Sequence, residues 1–172
     1  DVSAMLAFLQ ARALNGFFEG DLDTVRASSS EGVRLSRETG DTYGLEMLLI
    51  NLGSAALLAR ELDQAQPLLG EALRISNEID DRVAQYILLD LLGCHAASSG
   101  RARRAAQLLG AAEAVRTGVG ATLIPTVAPL VAGAEASAIA ALGTSSFEAE
   151  FNAGKRLSRD AAIATALGEP AH

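Results

Sequence analysis

Apolar side chains recur along the chain at helical spacing. Met5, Leu9, Ala13 and Phe17 fall on one side of a helix, and a polar turn at Gly20 follows them. Similar stretches, most of them preceded by an aspartate or serine and ended by a glycine, follow along the rest of the sequence. The pattern predicts nine helices, at about residues 3–19, 22–39, 42–56, 64–79, 82–99, 102–116, 127–142, 146–154 and 159–167.

One pattern of small and apolar residues occurs twice with the same internal spacing. Leu52-Gly53, Ala65, Leu68-Leu69-Gly70 and Ala72 reappear as Leu92-Gly93, Ala105, Leu108-Leu109-Gly110 and Ala112. A fainter copy, with Ala13 in the place of Gly53, lies one period earlier. A period of about 40 residues built from two amphipathic stretches predicts a helical solenoid, in which each repeat is a pair of helices.

Local signals predict the helix ends. Asp21 and Asp41 are positioned to cap helices, and so is either Asp80 or Asp81. Pro67 favours a start later than Asp63 for the fourth helix, because proline is tolerated only in the first turn.

The repeat ends near residue 116, and a distinct tail follows. A loop with two glycines and Pro125 occupies residues 117–126. In the tail, Ser145 and Glu148 predict a capping box, Ser158 predicts a helix cap, and Gly168 and Pro170 predict the last helix end. We expect Phe147 and Phe151, spaced i, i+4, to pack the tail onto the last repeat. The sequence therefore predicts one continuous domain: three helix pairs over 1–116, the loop, and a helical tail over 127–172.

Composition agrees with an all-α fold and narrows the function. Alanine and leucine dominate, and aromatic residues make up only 4% of the chain. The net charge is −7, with 15 acidic and 7 basic side chains in residues 1–90, so a basic surface for nucleic acid is not expected there. The longest apolar stretch, 127–142, contains Glu135 and is too short to cross a bilayer. A single cysteine fits a reducing compartment, and we expect a cytoplasmic protein without a disulfide.

The small residues of each pair resemble the tetratricopeptide repeat. Gly53, Ala65 and Ala72, then Gly93, Ala105 and Ala112, match its small-residue positions, whereas the first pair matches loosely through Ala13, Val25 and Gly32. The resemblance implies a right-handed solenoid of about three helix pairs.

The run Arg104 to Ala114, followed by Gly120, Pro125 and the segment Phe147 to Ser158, is similar to the C-terminal region of large actinobacterial LuxR-type regulators. The resemblance implies an ATPase domain before the repeats and a DNA-binding or cyclase domain elsewhere, and the start at Asp1 within a helical pattern agrees with a segment of a longer protein.

Residues that suggest catalysis do not form a convergent set. Gly154-Lys155 lacks the first glycine and the hydroxyl of a phosphate-binding loop, so this chain is not the ATPase. Cys94 and His95 point about 100° apart on a helix and do not converge on one metal ion, and the other histidine is His172. We expect no enzyme activity, no metal and no cofactor. The basic cluster Arg101, Arg103 and Arg104 is either a phosphate-binding patch or a solvated turn with acidic neighbours.

By the motif positions of the resemblance, the first helix of each pair lines a concave groove. Arrays that grip a peptide carboxylate carry Lys, Arg and Asn there, but Ile50 and Asp90 occupy those places. The groove is therefore expected to suit a helix or an apolar ligand. The predicted groove residues are Gln10, Leu14, Phe17, Met47, Ile50, Ser54, Leu57, Ile87, Asp90 and Cys94.

Two functions follow as hypotheses. The first is a sensor or protein-interaction module of a bacterial transcriptional regulator, which binds a protein, a peptide, a small effector or a neighbouring domain of the same chain. The second is a structural spacer or homo-oligomerisation module, in which exposed apolar residues such as Phe17 and Phe18 join two copies.

Overall fold

The computed structural model describes residues 1–169, and within that range it contains nine α-helices and no strand. The all-α class is thus confirmed. Pro170 and His172 lie outside the described residues. The helices are α1 (Val2–Glu19), α2 (Leu22–Thr39), α3 (Thr42–Leu58), α4 (Leu62–Glu78), α5 (Arg82–Ser98), α6 (Ala102–Gly118), α7 (Ala128–Leu142), α8 (Thr144–Lys155) and α9 (Arg159–Leu167).

The first six helices are separated by turns that recur at a constant interval along the chain. A residue with positive φ lies at each of Gly20, Gly40, Arg60, Asp80, Gly100 and Gly120. Glycine adopts this left-handed conformation without steric cost, whereas Arg60 and Asp80 adopt it against the preference of residues with a Cβ. Each period of the sequence repeat therefore contains two helix-and-turn segments of equal length.

Asp21, Asp41 and Asp81 each accept a hydrogen bond from the backbone N–H three residues later, as predicted for helix caps. Asp80 is not the cap of α5, because it occupies the left-handed position and pairs with Arg82 and Arg159.

Two predicted helix starts are wrong. The fourth helix does not start late: it begins at Leu62 and contains Pro67 in its second turn. The nitrogen of Pro67 has no hydrogen, so it cannot donate the helical hydrogen bond to the Asp63 carbonyl. Both residues are exposed, so water can donate to that carbonyl instead. The capping box is also absent, because α8 begins at Thr144 after Gly143 and has no side-chain cap. Ser145 lies inside the first turn instead of before it.

The described chain divides into two compact units, the first over Asp1–Glu78 and the second over residues 79–169. In the first unit, α1 packs against α2, α2 against α3, and α3 against α4, so consecutive helices form hairpins. In the second unit, α5 and α6 form a hairpin, and α7, α8 and α9 all pack against it. The boundary at residue 78 falls inside the stretch for which the sequence predicts three similar pairs.

The repeated small residues hold the hairpins close together. A Cβ on Gly53 would lie 2.7 Å from Leu69 Cδ2, and in the next repeat a Cβ on Gly93 would lie 2.9 Å from Leu109 Cδ2. In the first hairpin the equivalent positions hold Ala13 and Ser29, both fully buried. Ala13 carries a methyl group that Gly53 lacks, and Ser29 has a smaller side chain than Leu69. The two differences offset each other, so the packed volume stays similar.

The tail of the second unit is anchored by backbone contact and by aromatic residues. A Cβ on Gly154 of α8 would lie 2.0 Å from the Gln107 carbonyl oxygen of α6. The rings of Phe147 and Phe151 are 5.7 Å apart, and Phe147 is buried with Ala105 and Ala106 of α6. The predicted packing role of the two phenylalanines is confirmed. No described helix is long and apolar enough to cross a membrane.

Candidate binding site

The first unit contains a cavity between α1 and α3, on the side where the sequence predicts the groove. The cavity has a volume of about 260 Å³. Two of the predicted groove residues, Gln10 and Met47, belong to its lining. The remaining lining residues are Ser3, Leu6, Ala7, Asp41, Tyr43, Gly44 and Leu48. We name this site the α1–α3 cavity.

The α1–α3 cavity is mainly apolar with a few polar groups. Leu6 and Leu48 are buried and form apolar wall, whereas Met47 is half-buried and Tyr43 is exposed at the opening. Gln10 accepts a hydrogen bond of 3.2 Å from the Asn51 side chain, which fixes the orientation of its amide. The Asp41 carboxylate accepts a hydrogen bond of 2.9 Å from the Gly44 N–H as a helix cap. An apolar lining with few, oriented polar groups is typical of a binding pocket.

The other predicted groove residues of the first unit differ in how exposed their side chains are. Leu14 is exposed and Ser54 half-buried, whereas Ile50 and Leu57 are 8% and 4% exposed and belong to the interior. Phe17 packs against a buried cluster of Ala13, Val25 and Ala55, so it is largely turned inward. Sequence reasoning missed Leu6 and Tyr43, which lie one helical turn from Gln10 and Met47 on the same faces.

A second cavity of about 490 Å³ in the first unit was not predicted. Its charged members are Arg26, Glu61 and Asp63, and Arg26 forms a 2.9 Å ion pair with Glu61. Its apolar wall includes the half-buried Leu52 and Leu68 and the exposed Pro67. Among the described residues that line it, the cation Arg26 is already paired with Glu61, so we consider this cavity the weaker candidate.

The predicted groove residues of the second unit lie at a buried charge cluster. Asp90 is 1% exposed, and Arg116 of α6 donates a 2.9 Å hydrogen bond to it. Burial raises the pKa of Asp90 from 3.8 to about 7, although the Arg116 guanidinium acts in the opposite direction. Arg116 also lies 5.9 Å from the ring centre of Tyr86. Ile87, which precedes Asp90 by three residues in the same helix, is half-buried.

Cys94 is buried and unreactive in this environment. Burial is the main cause that raises the pKa of its thiol to about 12, and the nearby carboxyl groups of Asp90 and Glu135 contribute to this rise. The thiolate, which is the nucleophile and metal ligand, is therefore not formed near neutral pH. His95 is also buried. Among the described residues, no group of three or more His, Cys, Asp or Glu side chains is arranged to hold a metal ion.

The basic cluster at the start of α6 is engaged within the second unit. Arg104 donates a 2.8 Å hydrogen bond to the carbonyl of Ala166 in α9, and Arg103 lies 3.6 Å from the Glu150 carboxylate of α8. Arg101 is exposed and makes no side-chain cap. These contacts favour the interpretation in which the arginines attach the tail and pair with acidic neighbours.

The α1–α3 cavity thus has the best geometry for binding among the described sites. Comparisons with protein-family models, with curated proteins and with solved structures found no match to this chain, so its assignment rests on the residues and contacts above.

Proposed function

We propose that this chain is a non-catalytic, tetratricopeptide-like binding module of a bacterial transcriptional regulator, and that it binds an apolar helix or a small apolar effector at the α1–α3 cavity. The observation that carries the proposal is the cavity itself. Gln10 lines it from α1 and Met47 from α3, and these are the first helices of two consecutive hairpins. The matching packing of Gly53 on Leu69 and Gly93 on Leu109 supports the repeat assignment.

The mechanism requires that binding favours one arrangement of the module over another. A ligand wedged between α1 and α3 changes the relative position of two hairpins that are otherwise joined through α2. A ligand can shift such an equilibrium only by its difference in affinity for the two arrangements. In the proposed parent protein, that shift alters the contacts of neighbouring ATPase and DNA-binding domains of the same chain.

Met47→Asp is expected to weaken binding of an apolar helix about tenfold or more, because it places an unpaired carboxylate in an apolar contact. A library of amphipathic helical peptides is selected on the intact chain, and the affinities of the selected peptides are measured by calorimetry. Met47 is preferable to Ile50 for this purpose, since Ile50 is buried and its replacement by aspartate would disturb folding.

The matched control is Leu58→Asp. Leu58 is a 40% exposed apolar residue of the same helix that lines neither cavity. Peptides that bind the cavity keep their affinity for this variant. If both substitutions weakened binding equally, or neither did, binding at the α1–α3 cavity would be excluded.

A further inference from the structure

A proline interrupts the hydrogen bonding of α4 in the wall of the second cavity. Pro67 and Asp63 both line that cavity, which has a volume of about 490 Å³ and is bordered by residues of α2, α3 and α4. Because the nitrogen of Pro67 carries no hydrogen, the Asp63 carbonyl lacks its usual helical donor. In the next repeat the equivalent residue is Gln107, whose backbone N–H can donate that bond. We name this site the α2–α4 cavity.

Packing does not account for Pro67. A proline inside a helix destabilises it more than any other residue, and Pro67 is exposed and fills no part of the core. Residues that break a local rule of helix formation without a gain in packing occur in natural proteins chiefly at functional sites. The backbone acceptor that Pro67 leaves open is therefore a candidate for ligand contact.

The charged side chains around the α2–α4 cavity leave one carboxylate unpaired. Arg26 of α2 forms a 2.9 Å ion pair with Glu61, and Arg37 of the same helix forms a 2.9 Å ion pair with Glu71 of α4. The carboxylate of Asp63 has no hydrogen-bond or ion-pair partner among the described residues. The charged lining residues are two carboxylates and one guanidinium, so the lining carries a net charge of −1.

These groups together fit a basic side chain with an aliphatic stem. The carboxylate and the open carbonyl of Asp63 both accept hydrogen bonds, and the half-buried Leu52 and Leu68 provide apolar wall for a stem. A guanidinium has five N–H donors in a planar fork and is less strongly hydrated than an ammonium group, so one guanidinium can serve two acceptors of different direction. The positive end of the α4 dipole disfavours a cation near the first turn, so both acceptors are needed to hold it.

We propose that the α2–α4 cavity binds an arginine side chain of a partner protein, with its guanidinium on the carboxylate and carbonyl of Asp63 and its stem against Leu52 and Leu68. This inference goes beyond the function proposed above. The α2–α4 cavity and the α1–α3 cavity share no lining residue, so binding at either one can fail without the other.

A blocked tripeptide with a central arginine is the probe for this site. The same tripeptide with norleucine is the control ligand, because norleucine keeps an aliphatic stem and lacks the donors. Each peptide is titrated into the intact, isotope-labelled chain at low ionic strength, and amide chemical shifts report both the affinity and the place of binding. The arginine peptide is expected to shift amides that border the α2–α4 cavity and to bind at least about threefold more tightly than the norleucine peptide.

Asp63→Asn is expected to weaken binding of the arginine peptide about threefold or more, because it removes the unpaired charge. Asp23→Asn is the matched control. Asp23 is the second residue of α2 as Asp63 is of α4, and it is exposed and lines neither cavity. Its replacement is expected to leave the affinity unchanged.

Pro67→Ala separates the role of the open carbonyl from a general effect on the fold. Alanine supplies the missing N–H to the Asp63 carbonyl, so the urea midpoint of unfolding is expected to rise. The affinity for the arginine peptide is expected to fall about threefold, since the ligand loses that acceptor. A weaker affinity in a more stable variant cannot result from unfolding.

Four results would contradict the proposal. Equal affinities of the wild-type chain for the arginine and norleucine peptides overturn it, and so does an unchanged affinity in Asp63→Asn. An unchanged affinity in Pro67→Ala overturns the role of the carbonyl. A lysine tripeptide that binds as tightly as the arginine tripeptide overturns the choice of a guanidinium.

Discussion

Gly154→Ala is expected to lower the free energy of unfolding by about 3 kcal/mol, because it forces two helices of the second unit apart. The added Cβ would lie 2.0 Å from the Gln107 carbonyl oxygen, and a Cβ on Gly110 would lie equally close to the Phe151 carbonyl oxygen. Both obstacles are backbone atoms, so no rotation of a side chain relieves them. Urea denaturation followed by circular dichroism gives the change in stability.

Gly133→Ala is the matched control for that experiment. Gly133 lies inside α7, and nothing comes within 4 Å of a Cβ placed on it. Because alanine favours a helix over glycine, this substitution is expected to stabilise the chain by about 0.5–1 kcal/mol. The two glycine substitutions thus have opposite expected signs. Equal effects would contradict the close approach of α6 and α8.

The second large effect is a loss of stability with rising pH that depends on Asp90. Burial raises the pKa of Asp90 from 3.8 to about 7 in the folded chain. Below about pH 3 the carboxyl is protonated in both states and contributes no difference. As the pH rises towards 7, the unfolded chain releases this proton first and gains stability relative to the folded chain. Asp90 alone therefore reduces the stability by up to about 4 kcal/mol above pH 7.

The groups around Asp90 determine how the effect is measured. Arg116 of α6 opposes the rise in the pKa of Asp90, whereas Glu113 of the same helix and Glu135 of α7 add to it. The pKa of Glu135 is itself raised, first by burial, so it contributes in the same direction. Other carboxyl groups, such as those of Asp21 and Glu31, have lowered pKa values and contribute stability that is lost as the pH falls. The Asp90 contribution is therefore obtained as a difference between variants.

Asp90→Asn is expected to be more stable than the wild-type chain at about pH 8 and to lose that advantage by about pH 3. Asparagine resembles the protonated side chain and does not ionise. Urea denaturation of both proteins at several pH values measures the difference. A constant difference between Asp90→Asn and the wild type across this range would contradict a raised pKa at Asp90.

The helices could be predicted because their ends carry strong local signals. Gly20, Gly40 and Gly100 mark turns, and the aspartates at 21, 41 and 81 cap the helices that follow. Arg60 and Asp80 occupy equivalent left-handed positions without glycine, so only the regular spacing of the turns marks them. The pattern of Ser145 and Glu148 failed because Gly143 already ends α7 and begins α8, which leaves no separate cap position.

The candidate site was predictable only in part. The motif positions of the tetratricopeptide resemblance placed Gln10 and Met47 in the groove, and both line the α1–α3 cavity. Motif positions could not separate a half-exposed residue from a buried one such as Ile50, because a small rotation of a helix decides which of two neighbouring faces is covered. The 2.9 Å contact of Asp90 with Arg116 joins α5 and α6 across 26 residues of the chain. No pattern in a single sequence specifies that pairing.

The constant spacing of the left-handed residues has a consequence for how such a chain can change in length. Duplicating a whole hairpin with its two turns preserves both the turns and the pairing of Gly53 with Leu69 or of Gly93 with Leu109. Duplicating one helix with its turn preserves the turn spacing but exchanges the first and second helices of the hairpins that follow. The glycines of the first helices then no longer pack against the leucines of the second helices. The turn is therefore the unit of geometry, and the hairpin is the smallest unit that a gene can gain or lose without repacking its neighbours.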